Sequence, residues 1–300
     1  MIGTAQFGSG YGVANRSGVP ALSEICAMLE ESAAAGINCL DTAASYGESE
    51  AILGRALAET GLDDFFMIVT KIDSRIPPGL TAAEARSAIE QSVHRSLRRL
   101  RTDTVFAVLL HRDESPEYLD ALTACREAGI IRQAGVSLHS PTSTARFAAH
   151  PDLGAIQIPA NVLDRRFTPH AATARQRGAL VFARSTYLQG LLLLGNNATP
   201  PHLRLIGPDR AFIHGLAAEL ALPPQALLLR AMLDDYDMDC VVVGMDDRTQ
   251  LRENLAILHS PSLPTDIMRR LSTFKPSSPS WIIDPFRWAS RAASVPKTIA

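Results

Sequence analysis

Gly36-Ile37-Asn38-Cys39-Leu40-Asp41-Thr42-Ala43-Ala44-Ser45-Tyr46-Gly47 opens on a glycine, runs through apolar residues and stops at a charge. Gly36 to Leu40 is too short for a helix and reads as a buried strand, which puts Asp41 at the strand's C-terminal end. The arrangement recurs twice downstream. Phe65 to Thr70 stops at Lys71, and Val105 to Leu110 stops at His111. Helical stretches lie between these runs: Ser23 to Ala35 ending at Gly36, Ser49 to Glu59 ending at Gly61, and Thr81 to Leu100. The last of them starts with Thr81-Ala-Ala-Glu84, a capping box. Strand, helix, strand is the signature of a parallel sheet.

The alternation continues with apolar runs at Gln133 to Ser137, Ala155 to Pro159, Ala179 to Arg184 and Cys240 to Val243, and begins with Met1 to Thr4, making eight strands. Eight strand-helix units in a chain of 300 residues predict an α/β fold, a closed (β/α)8 TIM barrel over residues 1–275. Function in such a barrel collects at the C-terminal ends of the strands. Asp41, Tyr46, Lys71 and His111 all fall there.

Composition narrows the partners. The chain is 46% hydrophobic and 20% charged, with 29 basic against 31 acidic residues and a formal net charge of −2. No basic stripe exists to meet a phosphate backbone, so nucleic acid is not an expected partner. Leu227 to Leu233 is too short to span a bilayer, and the first residues lack a charged and apolar leader. The expectation is a soluble, cytoplasmic protein, monomeric or weakly homo-oligomeric, acting on a small molecule. Cys26, Cys39, Cys125 and Cys240 show neither a CxxC spacing nor histidine partners, and read as small buried hydrophobes with no metal.

Residues 276–300 fall outside the barrel pattern. Pro276, Pro279 and Pro285 deny this tail a long helix, yet it carries both tryptophans of the chain, Trp281 and Trp288. It is expected to dock on the barrel; a lid over the mouth and a contact with a partner are the alternatives.

The four strand-end residues suit one chemistry. Reducing an unactivated carbonyl needs a hydride from one side and a proton for the oxygen as negative charge develops. A tyrosine gives that proton if a lysine ammonium nearby favours its phenolate, and an aspartate keeps the lysine charged and in place. Asp41, Tyr46 and Lys71 can meet in this way because neighbouring barrel strands converge. His111, one strand on, can donate a hydrogen bond to the carbonyl oxygen. A lone lysine at a strand end more often snorkels to water, and a lone histidine is more often structural. Their placement on three successive strands is what carries the reading.

These residues resemble the aldo-keto reductases. Asp41-Thr-Ala-Ala-Ser-Tyr46-Gly47 is similar to that family's D-T-A-x-x-Y-G, with Leu53-Gly54-Arg55-Ala56-Leu57 following in place; Val69-Thr70-Lys71 and Leu109-Leu110-His111 resemble the strands that carry its lysine and histidine. The resemblance covers roughly the first 275 residues and implies a catalytic tetrad of Asp41, Tyr46, Lys71 and His111, with Tyr46 as general acid. It also implies a nicotinamide cofactor bound without a Rossmann domain. By the same resemblance Thr4 and Ala5 lie beside that cofactor, and Ser137 and Gln157 hold its carboxamide. Arg184, Ser185, Leu188 and Gly190 line its nicotinamide and pyrophosphate. Gly244, Arg248, Gln250, Glu253 and Asn254 meet its adenosine.

Three departures stand out. Leu138 replaces an asparagine of the carboxamide site, leaving that hydrogen bond absent or supplied by His139 or Asn161. Arg184 stands where an aromatic normally stacks. The positions that bind a 2′-phosphate in many relatives correspond to Gly244, Met245 and Gln250, with Asp246 and Asp247 alongside and Arg248 as the nearby cation. The family favours NADP(H); these residues keep NAD(H) open. The long stretch Leu191 to Arg210 reads as a functional loop folded over the pyrophosphate, and Gly8 to Gly18 as a loop at the mouth bearing Tyr11. The loop after His111, Arg112-Asp-Glu-Ser-Pro116, is charged rather than aromatic, which favours a polar or sugar-like carbonyl over a greasy one. The alternative is a regulatory module that binds cofactor and has little or no turnover.

Overall fold

The computed structural model describes residues 1–113, 116–234 and 238–288. Among them are nine strands: β1 (Ile2–Gly3), β2 (Cys39–Asp41), β3 (Met67–Lys71), β4 (Val105–Leu110), β5 (Ile131–Ser137), β6 (Ala155–Pro159), β7 (Leu180–Arg184), β8 (Cys240–Val241) and β9 (Val243–Gly244). Every neighbouring pair is parallel, in the order β8-β7-β6-β5-β4-β3-β2-β1-β9. The two ends of that order are one piece of chain. Cys240–Val241 pairs with β7 and Val243–Gly244 with β1, so the eighth predicted run closes the barrel in two halves.

Local chemistry sets the element ends. Thr81 and Glu84 form the predicted capping box, the Thr81 N–H donating to Glu84 Oε2 at 2.9 Å and the Glu84 N–H to Thr81 Oγ1 at 3.4 Å. Gly61 ends the helix Ser49–Thr60 at φ 67°, which an L side chain resists. Two strands start later than expected, since Phe65 lies in a turn and is 42% exposed and Gly36 to Asn38 precede the strand at Cys39, whereas β5 starts two residues earlier, at Ile131. Of the cysteines, Cys39 and Cys125 are buried as expected, whereas Cys26 and Cys240 are half-buried.

Two cores flank the sheet. Outward strand residues pack on the surrounding helices, and a smaller cluster of Cys39, Val69, Ala107, Leu109, Ala155 and Phe182 fills the barrel itself. Strand residues alternate faces, so the residue two positions beyond an inward one points the same way. Asp41, Lys71, His111, Gln157 and Arg184 each follow a member of that plug by two. They form a polar layer over an apolar floor.

A second outer cluster joins the Leu188–Ile206 stretch, the helices Gly207–Glu219, Pro224–Leu233 and Thr265–Thr273, and the tail through Ile282, Ile283 and Trp288. The expected long loop is folded: two short 3-10 turns lie in it, and Arg210 ties it by hydrogen bonds to Leu191 O, Thr199 Oγ1 and Asn196 Oδ1. Asp209 accepts three hydrogen bonds of 2.8 to 2.9 Å from Ser277 and Ser278, and Trp288 Nε1 donates to Ile282 O at 2.9 Å. Residues 289–300 of the tail, and Glu114 and Ser115 in the loop after His111, lie outside the described residues. Among the described residues no single helix is long and apolar enough to cross a membrane. The bent pair Pro201–Glu219 and Pro224–Leu233 qualifies only by combined length and turns by 90°.

Candidate active site

Lys71, 1% exposed, donates from Nζ to Asp41 Oδ1 at 2.7 Å and to Thr42 O at 3.0 Å. Its Nζ lies 4.9 Å from the centroid of the Tyr46 ring, and the His111 ring stands edge-on to that ring at 5.8 Å. The four residues predicted from three strand ends therefore meet. Gln157 joins them: its Nε2 donates to the same Asp41 Oδ1 at 2.6 Å, while Ser137 Oγ reaches Gln157 Oε1 at 3.4 Å.

Burial opposes the Lys71 charge, but Asp41 and then Tyr46 outweigh it and hold the ammonium above the usual lysine range. His111 is pushed the other way, to about 3, by burial and then by the Lys71, His139 and Arg184 charges. It is neutral at physiological pH, and its Nδ1 is buried without a hydrogen-bond partner. His139, also lowered, to about 4 by burial and Arg184, bridges two site residues: Nε2 lies 3.1 Å from His111 O and Nδ1 2.9 Å from Arg184 Nη2.

Glycines place the loop that bears Tyr46. A Cβ on Gly8 would sit 1.9 Å from Tyr46 O and 2.4 Å from Ser49 N, and one on Gly47, at φ 58°, would sit 2.4 Å from Gly8 O. The two backbones touch where no side chain fits.

A cleft of about 330 Å³ runs from Asp41 and Tyr46 past β1 and β9 to the helix Arg248–Leu258. Of the residues predicted to hold cofactor, Ala5, Arg184, Ser185, Gly190, Gly244, Gln250, Glu253 and Asn254 line it. The others do not. Thr4 is buried and bonds Asp41 O from N at 2.8 Å and from Oγ1 at 2.9 Å, fixing a strand end. Ser137 and Gln157 belong to the Asp41 network. Leu188 is fully buried in the outer cluster. Arg248 is held by Glu24, 3.1 Å from its Nε, and by Glu31, 3.6 Å from its Nη1. Neither neighbour suggested for the missing asparagine is free, since Asn161 Nδ2 donates to Ser185 O and its Oδ1 accepts from Leu163 and Asp164.

Sequence reading missed Asn15, Thr186, Tyr187 and Gln225, which line the cleft together with Gln6 beyond the first strand's end. Thr186 and Tyr187 lie inside a run already singled out, where position alone could have flagged them. Gln225 sits on the helix Pro224–Leu233, outside any motif, and meets Asn254 Oδ1 at 2.9 Å only through the fold. The cleft suits a dinucleotide. Thr186 Oγ1 is buried in its wall without a partner. Ser185, Leu188, Gln189 and Gly190 take φ values of 50 to 84°, a turn whose strain is kept at functional sites. A Cβ on Gly244 would lie 2.5 Å from the Gln6 side-chain amide, which would have to swing aside.

The Aldo/keto reductase family profile matches residues 1–275. An uncharacterised oxidoreductase of Bacillus subtilis is 24% identical over 266 residues, 82% of this chain and 86% of that protein. A 6-dehydroglucose reductase of Agrobacterium fabrum is 35% identical over 136 residues, 40% of this chain and 45% of its own length. The structure of a glycerol dehydrogenase from Gluconobacter oxydans superposes with a TM-score of 0.69 at 25% identity, covering 90% of this chain and 89% of that one. A barrel with Asp41, Tyr46, Lys71 and His111 gathered at three strand ends, matched by one family from residue 1 to 275, makes this chain an oxidoreductase of the aldo/keto reductase family.

Proposed function

We propose that this protein reduces a polar aldehyde or ketone to the alcohol, using a nicotinamide dinucleotide held in the cleft and Tyr46 as the general acid. The observation that carries this reading is Lys71 Nζ, buried between the Asp41 carboxylate at 2.7 Å and the Tyr46 ring at 4.9 Å. When bound, the cofactor supplies the hydride. The Tyr46 hydroxyl gives its proton to the carbonyl oxygen, and the Lys71 ammonium stabilises the phenolate left behind. His111, neutral, donates one N–H to the same oxygen and fixes its direction. Asp41 holds Lys71 and keeps it charged, and Gln157 holds Asp41.

A polar substrate is supported by the mouth. Tyr11, Tyr46 and Arg184 reach the cleft, and His139 stands beside Arg184. In this reading the tail docks as part of the barrel unit and brings Phe286, 66% exposed, to 4.3 Å from the His139 ring. The sugar and polyol names of two relatives point the same way.

The test is Tyr46→Phe in the full-length chain, assayed against polyhydroxylated and aromatic carbonyls with NADH and NADPH. Turnover should fall about 10²- to 10⁴-fold, the usual weight of a positioned proton donor, while cofactor affinity stays within about twofold. Undiminished turnover would remove Tyr46 from the reaction. A module that only binds cofactor would show no turnover in either form.

A further inference from the structure

We propose that the cleft selects NAD(H) over NADP(H), with Asp246 as the residue that sets the preference by accepting hydrogen bonds from the adenosine ribose hydroxyls. This rests on reading the cleft as a dinucleotide seat. Asp246 lines its distal end with Gly244, Gln250, Glu253 and Asn254. Its carboxylate is fixed from two sides: Asn15 Nδ2 donates to Oδ1 at 3.0 Å, and Gln250 Nε2 to Oδ2 at 3.4 Å. The Asp246 N–H returns a bond to Gln250 Oε1 at 3.0 Å. A carboxylate held in this way still has lone pairs to accept from a vicinal diol, the usual way an acidic residue reads an unphosphorylated ribose.

A 2′-phosphate would meet the opposite of what it needs. Such a group carries about −1.5 to −2 charge at neutral pH and seeks cations. Among the described residues, four charged side chains line the cleft: Asp41, Asp246, Glu253 and one cation, Arg184. Arg184 sits at the catalytic end, engaged with Leu138 O at 3.0 Å and His139 Nδ1 at 2.9 Å. Arg248, the cation nearest in sequence to the adenosine segment, is turned onto the helix Leu22–Ala34. There its Nε meets both Glu24 oxygens, at 3.1 and 3.2 Å, and its Nη1 lies 3.6 Å from Glu31. Glu24 already neutralises it, and Glu31 is shared with Arg252, 2.7 Å away. Met245, at one of the positions used for the phosphate in relatives, is 3% exposed and packed in the core. Asp247 spends its side chain on the N-cap of the next helix, accepting from Gln250 N at 2.9 Å.

The experiment is a titration of the full-length protein with NADH and with NADPH at one fixed ionic strength, followed by tryptophan fluorescence quenching and by calorimetry. NADH should bind at least about tenfold more tightly, the ratio that one ~1.4 kcal/mol charge interaction produces. Asp246→Asn should shrink the ratio severalfold, chiefly by tightening NADPH. The double variant Glu24→Gln, Glu31→Gln, which leaves the cleft untouched, should also tighten NADPH by releasing Arg248. It reads the same charge balance should Asp246→Asn fail to fold. NADPH binding as tightly as NADH would overturn the proposal and leave the dinucleotide seat standing; binding of neither would overturn the seat and the proposal together. An unchanged ratio in well-folded Asp246→Asn would remove Asp246 from the preference.

Discussion

Asp41 Oδ1 accepts from two donors at once, Lys71 Nζ at 2.7 Å and Gln157 Nε2 at 2.6 Å, in a site where all three side chains are buried. Hydrogen bonds to a charged group are worth about 1.5–3 kcal/mol, and a buried charge left short of partners is costly. Gln157→Leu should therefore lower unfolding free energy by about that amount, read from urea denaturation. It should also reduce kcat about tenfold with little change in KM, because Asp41 acts through Lys71. Wild-type kcat and stability in this variant would show that Gln157 does not support the pair. The sequence marked Asp41, Lys71 and Gln157 separately. It could not show that an amide read as a cofactor ligand spends its donor on the aspartate, because that bond spans 116 positions of chain.

At the scale of elements, the Tyr46 loop is set by its backbone hydrogen bonds to Ala43 O and Lys71 O and by close contact between two glycines. A methyl group on Gly8 would lie 1.9 Å from Tyr46 O, so Gly8→Ala must push the loop away from the Ala5–Gly8 turn. Expected is a large loss of turnover, 10²-fold or so, since misplacement of a reacting group by about 1 Å costs that much. Circular dichroism should remain that of the wild type. Equal activity in Gly8→Ala would mean that the loop adjusts freely. Element boundaries were legible where side chains act locally: Thr81 and Glu84 announce a helix start, and Gly61 a helix end. They were not legible where pairing decides. Cys240 to Val243 looks like one strand, and only its two neighbours, β7 and β1, divide it at Val242. The Leu191 to Arg210 stretch reads as a loop because its prolines and glycines break periodicity. It is nevertheless packed, because Leu191, Leu192, Leu203 and Ile206 belong to one core with the tail's Ile282 and Trp288.

At the scale of the molecule, two half-buried histidines couple the site to global stability. His111 titrates at about 3 and His139 at about 4 in the fold, against about 6.5 in an unfolded chain. Both folded values are lowered, so the unfolded chain binds protons that the native one refuses as pH drops below about 6.5. Stability is thus complete above that pH and is lost progressively as pH falls toward 4 and then 3. Thermal melting followed from pH 8 to pH 4 should show this decline, and His139→Asn should flatten part of it. A melting temperature constant between pH 7 and pH 4.5 would mean that these imidazoles are charged in the native state.

What the sequence determined by itself was the barrel and the four polar residues gathered at its strand ends. Both follow from short-range patterns: period-two burial, strands closed by a polar residue, and helix caps that act within one turn. The tertiary structure alone decided which residues share a surface. It sent Leu188 into a core and Arg248 onto two glutamates, and placed Gln157 on Asp41 and Gln225 beside Asn254. Closing the sheet brings strand ends from distant parts of the chain to one mouth, and no local pattern encodes which side chain finds which partner there.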